Sequence, residues 1–260
     1  MKTWLVAVLT GAAAHAGDWQ GTLSSPQPGR FPPPAPLHAH YKFGWTSFSA
    51  AEGNVDFTKA KSGELRLDVE VKTIGFVRTL WRMDARHAAV AQAVTLRPMT
   101  VRQVEAYANE TLTTTVDFDS DGVTRLRETK PADPQPAKPK RFKFAGVFDL
   151  HTALLWVRSQ RLNQGDVYRL VVYPTTAPYL AEVSVGGREK LRVAGDAYKA
   201  VRLELKLRRI DAKTLELAPH KKFKRAIAWL SDDDRRLFLK AEANIFVGAV
   251  WMELERVEFY

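Results

Sequence analysis

Apolar and polar residues alternate over most of this chain, and the longest alternation lies near its C-terminus. From Leu237 to Val247 the odd-numbered positions are apolar, whereas Lys240, Glu242 and Asn244 fall between them. A period of two predicts a strand with one face buried and the other in water. At about 3.3 Å per residue this strand would extend for roughly 35 Å, which suits the wall of a large curved sheet or barrel.

The same alternation recurs upstream and predicts about a dozen strands in all. Leu65, Leu67, Val69 and Val71, for example, are separated by charged residues. The predicted strands share this pattern and cover residues 41–45, 54–59, 65–71, 88–95, 101–107, 111–118, 123–128, 167–173, 179–185, 190–193, 198–207, 215–217 and most of 226–260. Gly-containing turns between successive strands indicate an antiparallel meander.

Two segments break this period, at residues 75–86 and 149–162. The first has helical spacing, with an irregular edge segment as the alternative because several of its residues are β-branched. In the second, Asp149 can cap a helix that ends before Gly165. The predicted class is all-β, a large curved antiparallel sheet or incomplete barrel with one or two covering helices, the second against the barrel mouth.

The N-terminal composition predicts three regions. Residues 1–16 have a basic start, an apolar stretch and the cleavage pattern Ala14-His15-Ala16, as a signal peptide does. A buried N-terminal strand is the alternative. Residues 17–39 are predicted to be a flexible Pro-rich leader, and residues 40–260 a single β-barrel-like domain with a Pro-rich loop at 130–140. We therefore expect a periplasmic or secreted protein, and without cysteine it forms no disulfide.

Charge suggests the class of partner. The 260-residue chain carries a formal net charge of +10, which favours anionic lipid head groups, acidic glycans or nucleic acid. Basic stretches with interleaved phenylalanine occur at residues 138–144 and 220–225. Because an exported protein rarely meets nucleic acid, we expect lipid or glycan, with peripheral membrane contact and a monomeric state. The alternative is a solvated basic surface with no dedicated partner.

Candidate ligand-binding residues are of two kinds. Inward side chains of the curved sheet would line an apolar groove, and these are Trp45, Leu67, Val69, Leu203, Trp229 and Ile245. Trp156 of the second predicted helix would lie at the mouth. An arginine recurs every four residues at Arg78, Arg82 and Arg86. This row would bind an anion, or else form a solvated helix face. A filled core is the alternative to a groove.

Metal and catalytic motifs are sparse. Asp117, Asp119, Asp121 and Glu128 satisfy the spacing of a calcium loop. Their flanks read as strands where helices are required, so a hairpin turn is the competing interpretation. Residues 231–234 (SDDD) similarly fit a turn between two strands. No motif for a cofactor or catalytic nucleophile is present, so we predict no cofactor and name no catalytic residue.

Four segments carry a family resemblance. They are YKFGWTSFSAAEGNVDF, FDLHTALLWVRSQRLNQGD, VGGREKLRVAGDAYKAVRLEL and AWLSDDDRRLFLKAEANIFVGAVWMEL. From Tyr41 to the C-terminus the chain resembles the bacterial envelope proteins of domain-of-unknown-function family 3108. Its most specific piece is Trp229 to Arg236, after which Leu237-Phe238 replace the proline and valine expected in relatives. The resemblance implies an exported β-rich protein similar to an incomplete barrel, and it implies no activity.

Three hypotheses for function follow. The first is a non-enzymatic exported envelope protein that binds a lipid or an anionic polymer in or on the curved sheet. The second is a periplasmic hydrolase or lyase that acts on glycan or lipid, for which converging carboxylate and histidine side chains would be required. The third is an assembly component that acts through protein partners, for which a wide apolar outer patch would be required.

Overall fold

In the computed structural model the described residues are 19–131, 136–219, 225–245 and 248–260. The predicted signal peptide, most of the basic stretch 220–225 and the end of the predicted long strand at Val247 lie outside these ranges. The strands are β1 (Leu37–Trp45), β2 (Phe48–Lys59), β3 (Glu64–Thr73), β4 (Met83–Gln92), β5 (Pro98–Tyr107), β6 (Thr111–Asp119), β7 (Gly122–Lys130), β8 (Lys140–Lys143), β9 (Val167–Val172), β10 (Tyr179–Val193), β11 (Asp196–Ile210), β12 (Leu217–Pro219), β13 (Arg225–Ser231), β14 (Phe238–Asn244) and β15 (Ala249–Phe259). The helices are a 3₁₀ helix (Trp19–Thr22), α1 (Gly75–Leu80) and α2 (Leu150–Ser159).

The strands form one antiparallel sheet that curves without closing. Their order is β8-β7-β6-β5-β4-β3-β2-β1-β15-β14-β13-β11-β10-β9, and β12 pairs with β11. The predicted all-β class is therefore confirmed. The first and last strands of this order, β8 and β9, do not pair with each other. Side chains bridge the gap between them, because the rings of Phe142 and Tyr173 stack with their centroids 6.3 Å apart.

Helix α2 fills one end of this incomplete barrel. The Asp149 carboxylate accepts hydrogen bonds from the backbone of His151 and Thr152, and the Thr152 hydroxyl bonds back to the Asp149 backbone, which forms a capping box. The side chains of Leu155 and Trp156 are buried in the core. The predicted helix was too long at its C-terminal end. Leu150, the first residue of α2, is 59% exposed.

The predicted flexible leader is corrected, because residues 19–36 lie against the body of the protein. The Trp156 indole donates to the carbonyl of Gln27 at 3.0 Å, and the Arg158 guanidinium donates to that of Pro32 at 2.7 Å. Trp19 stacks on Phe144 with a centroid distance of 5.5 Å. The segment also accounts for the burial of two polar residues of α2, since Arg158 and Ser159 hydrogen-bond to Pro32 and Gly29.

The predicted long C-terminal strand is also wrong in length. Strand β14 covers only seven residues and ends at Asn244, after which Ile245 N–H donates to the Gly248 carbonyl in a turn. Gly248 has φ of +80°, a conformation that glycine adopts without strain. The assigned buried face is nevertheless correct over its first part, since Leu239 is fully buried and the alternate alanines are half-buried.

Three further differences concern strand boundaries. The predicted helix at 75–86 is only the six-residue α1, and residues 83–86 belong to β4. The two strands predicted at 179–185 and 190–193 are one strand, β10, with a register shift between Val185 and Arg188. The basic stretch at 138–144 contains the edge strand β8, whose Phe142 is buried. Residues 132–135 of the predicted Pro-rich loop lie outside the described ranges.

Candidate functional site

One end of the barrel is filled by core side chains, and the candidate site lies at the other end. At the α2 end the Phe57 ring contacts His151 of the helix, with a centroid distance of 5.8 Å, and the space between is filled by core side chains. At the opposite end lie the turn from β1 to β2, helix α1 and the turn from β14 to β15. An apolar groove of about 940 Å³ opens there.

Small residues form the floor of this groove. Ala226 on β13 pairs with Ala243 on β14, and Ala241 of β14 also lines the groove. Larger residues lie between these alanines along the strands, Ile227 on β13 and Glu242 on β14. Because the inward side chains are single methyl groups, the sheet leaves space where larger side chains would fill it.

Aromatic and aliphatic side chains form the walls. The aromatic members come from β1, β2, β15 and the α1 segment, and they are Phe43, Trp45, Phe48, Phe76, Trp81 and Trp251. Only Ser49 and Glu242 are polar among the lining residues, and the Glu242 carboxylate lies 3.0 Å from Lys240 Nζ. The groove therefore offers hydrocarbon contact and almost no hydrogen bonding.

Trp251 has its place at the edge of the groove because Gly44 has no side chain. A Cβ atom on Gly44 would lie 2.1 Å from Cζ2 of Trp251, far inside contact distance. The Trp251 indole N–H donates to the carbonyl of Thr46 at 2.9 Å, which holds the ring over the β1–β2 turn. The pair defines the rim on this side, and the strand alternation alone did not identify it.

The predicted tryptophan set does not converge. Trp45 lines the groove. Trp156 is a core residue beneath the N-terminal segment, and Trp229 is buried with its indole donating to Glu189. Of the inward side chains proposed to line one groove, only Trp45 and Ile245 do so, whereas Leu203 is buried in the filled part of the barrel.

The predicted arginine row is also corrected, since its members lie on three different structural elements. Arg78 of α1 makes two hydrogen bonds to the Asp84 carboxylate, at 2.9 and 3.0 Å, and this contact holds the pKa of Asp84 below its usual range. Arg82 follows α1 and lies 3.9 Å from the same carboxylate. Arg86 is in β4 and pairs with Glu70 at 3.1 Å. The row does not form one anion site.

The calcium-loop candidate is a β-hairpin. Asp119 ends β6, Gly122 begins β7, and the Arg141 guanidinium bonds to the carboxylates of Asp119 and Asp121. Asp117 instead accepts from Thr100 at 3.0 Å, and Glu128 pairs across the hairpin with Thr113. Arginine thus occupies the position that a cation would need, and it lowers the pKa of Asp119. The hairpin interpretation is confirmed.

The acidic turn at 231–234 is confirmed as well, and it has a structural role that the sequence did not reveal. One oxygen of Asp233 accepts from the Ser231 hydroxyl and from the backbone N–H groups of Arg235 and Arg236. The Arg236 guanidinium then donates to the carbonyls of Arg158 and Gln160 at the C-terminal end of α2. The turn therefore fastens α2 to the sheet.

A buried polar cluster lies beneath α2, away from the groove. His151 Nε2 is buried without a hydrogen-bond partner, and burial lowers the pKa of His151 to about 4. His87 is nearby, bonded to Gln103, and burial lowers its pKa too. The Asp149 carboxylate serves the helix cap rather than a histidine ring. This cluster does not supply the carboxylate–histidine pair that a hydrolase would need.

Two classes of site are not found in the described ranges. No group of three His, Cys, Asp or Glu side chains there is arranged to hold a metal ion. No helix there is both long and apolar enough to cross a membrane.

The sequence model of one family, described as a protein of unknown function (DUF3108), matches residues 39–255. The chain belongs to this family. The match covers β1 to most of β15, and therefore includes all of the groove-lining strands. No curated protein matches the sequence.

One solved structure shares the fold of this DUF3108 member, and two others align with it more weakly. A β-barrel-like protein of the domain of unknown function DUF1849 from Brucella abortus is 7% identical, with a TM-score of 0.58 over 87% of this chain and 98% of that one. A Bacteroides fragilis protein described as a presumed exported protein with a YmcC-like fold is 7% identical, with a TM-score of 0.36 over 89% and 99%. A presumed lipoprotein from Parabacteroides distasonis is 6% identical, with a TM-score of 0.32 over 89% and 99%.

Proposed function

We propose that this protein is a non-enzymatic binding protein of the bacterial envelope that holds the hydrocarbon chain of a lipid in the apolar groove. The signal-peptide pattern of residues 1–16 supports export to the periplasm or beyond. The groove carries the rest of the proposal. Its volume of about 940 Å³ falls within the range of about 300–1,000 Å³ that is usual for small-molecule sites.

The composition of the lining favours a lipid chain over an anionic polymer. Recognition of a glycan or polyphosphate needs charged or hydrogen-bonding side chains aimed at the ligand. Four other depressions among the described residues each have at least two charged lining residues, whereas Glu242 is the one charged residue in a groove otherwise lined mainly by alanine, aliphatic and aromatic side chains. A flexible apolar chain gains from burial in such a lining and needs no polar partner.

The test is a titration of the purified protein with a fluorescent fatty acid, followed by displacement with unlabelled palmitate or phospholipid. Ala241→Phe places a ring on the groove floor and should raise the Kd of the probe at least about tenfold, equivalent to 1.4 kcal/mol. Ala88→Phe makes the same change on β4, away from the groove, and should leave the Kd unchanged.

The unmodified protein, purified from bacterial envelopes, should also carry lipid that mass spectrometry detects. Absence of probe binding by the unmodified protein would overturn the proposal. Equal binding by the two variants, each shown to be folded by circular dichroism, would overturn it as well.

A further inference from the structure

Exposed apolar side chains are concentrated at the mouth of the groove. Ten large hydrophobic residues are exposed among the described residues, and five of them line this one feature. We name these five the apolar rim; they are Trp45, Phe48, Phe76, Leu80 and Trp81. Phe76 and Leu80 are 76% and 72% exposed. Contiguous exposure of this kind marks an interaction surface.

The fold does not explain these residues. Helix α1 buries none of its six residues, so Phe76 and Leu80 contribute little to the core. Trp81 stacks on Tyr107 with a centroid distance of 6.2 Å, which orients its indole and still leaves it 54% exposed. Phe48 follows the β1–β2 turn and faces the α1 segment across the groove. The apolar rim is therefore a set of exposed apolar side chains that the core does not require.

The charges beside the rim select its partner. Arg78 and Arg82 both approach Asp84, so this one carboxylate balances only one of the two guanidinium groups. The whole chain carries a net charge of +10. Two copies of so basic a protein repel each other, whereas the anionic head groups of a phospholipid bilayer attract it. Basic residues beside exposed tryptophan and phenylalanine are the combination that favours the membrane interface.

We propose that the apolar rim docks the protein on an anionic phospholipid membrane, with Phe76, Leu80 and Phe48 in the interfacial region and Arg82 on the head groups. The groove then opens directly onto the bilayer. This inference goes beyond the proposed function, because a protein can hold a lipid chain without docking and can dock without holding one.

The experiment is flotation with large vesicles of phosphatidylcholine, either pure or mixed with phosphatidylglycerol. The unmodified protein should float with the anionic vesicles and much less with the neutral ones. The double variant Phe76→Ser/Leu80→Ser should reduce the partition coefficient for anionic vesicles about tenfold or more. Val94→Ser removes an equally exposed apolar side chain outside the rim and should change it less than about twofold. Arg82→Gln should reduce the preference for anionic over neutral vesicles.

Three results would overturn the docking proposal. They are failure of the unmodified protein to float, equal flotation of the rim variant, or a dimer in sedimentation velocity that the rim variant disrupts. The last would make the rim an interface between copies. Flotation by a protein that binds no fatty-acid probe would sustain the rim and overturn the proposed function. Probe binding without flotation would do the reverse.

Discussion

The guanidinium carbon of Arg236 lies 3.6 Å from the centroid of the Phe31 ring. This contact joins the turn between β13 and β14 to the N-terminal segment, and the C-terminal end of α2 lies against both. Arg236 also donates to the carbonyl of Gln160, which a helix end leaves without an intrahelical partner. One side chain thus connects three segments at the filled end of the barrel.

Loss of this connection should destabilise the protein measurably. We expect Arg236→Ala to lower the free energy of unfolding by about 2 kcal/mol, because charge-assisted hydrogen bonds and a cation–π contact are both removed. Urea denaturation would measure this change. Arg161→Ala removes an exposed arginine side chain just after the same end of α2 and should stay within about 0.5 kcal/mol of the unmodified protein. Equal effects of the two substitutions would contradict the assigned role of Arg236.

The stacked pair that bridges the open edges of the sheet gives a second prediction. Phe142→Ala should cost about 3 kcal/mol of stability, since a buried ring on a four-residue edge strand is replaced by a cavity. Hydrogen exchange should accelerate first in β8 and β9, because Phe142 and Tyr173 connect these strands where backbone pairing is absent. Equal acceleration of exchange in all strands would show that the contact between Phe142 and Tyr173 does not specifically stabilise β8 and β9.

Acid should destabilise the fold through His151. Its pKa in the folded protein is lowered to about 4 from 6.5, mainly by burial, so between these values the unfolded chain binds the additional proton. The stabilisation is fully present above pH 6.5 and is lost as the pH falls to about 4, at up to about 1.4 kcal/mol per pH unit. Asp149 opposes the shift, whereas His87 and Arg158 add to it.

The measurement is Tm against pH for the unmodified protein and for His151→Gln, which keeps a polar side chain that does not titrate. The variant should show a shallower loss of Tm between pH 6.5 and pH 4. Carboxylates titrate in both proteins, so the difference between the two curves isolates the histidine. Parallel curves would assign the acid sensitivity to other groups.

Gly44 gives a prediction about the groove itself. Gly44→Ala would place a methyl group where Trp251 now lies, and the indole must move from the rim. We expect a loss of about 1–3 kcal/mol in stability, as overpacking usually causes, together with a shift in tryptophan fluorescence. Gly187→Ala is the matched control, because a Cβ there meets nothing within 4 Å. Similar spectra for both variants would mean that Trp251 does not depend on Gly44.

Short sequence patterns correctly predicted the structural features that depend on residues close together in the chain. The alternation around Leu239 identified a buried strand face, the residues before Leu150 identified a helix cap, and the aspartates at 232–234 identified a turn. Each of these features depends on residues a few positions apart, so a short stretch of sequence contains the necessary information.

Contacts between distant segments could not be predicted in the same way. The segment containing Gln27 has the composition of a flexible leader, and its fixed place depends on contacts with distant residues, such as the hydrogen bonds that Trp156 and Arg158 donate to its carbonyl groups. Arg78 and Arg86 are eight residues apart, a spacing that would place both on one face of a helix. The chain changes from helix to strand between them, so the two side chains pair with different carboxylates. The groove likewise depends on which inward alanines meet across β13 and β14, which is a matter of register.

Helix α2 occupies one end of the barrel, and the groove opens at the other end. A lipid held as proposed would therefore enter and leave by the groove mouth, because core residues such as Trp156 and Leu155 fill the barrel at the α2 end. A lipid chain longer than the depth of the groove would project from its mouth. The projecting end of such a lipid would then remain accessible to a membrane or protein next to the groove mouth.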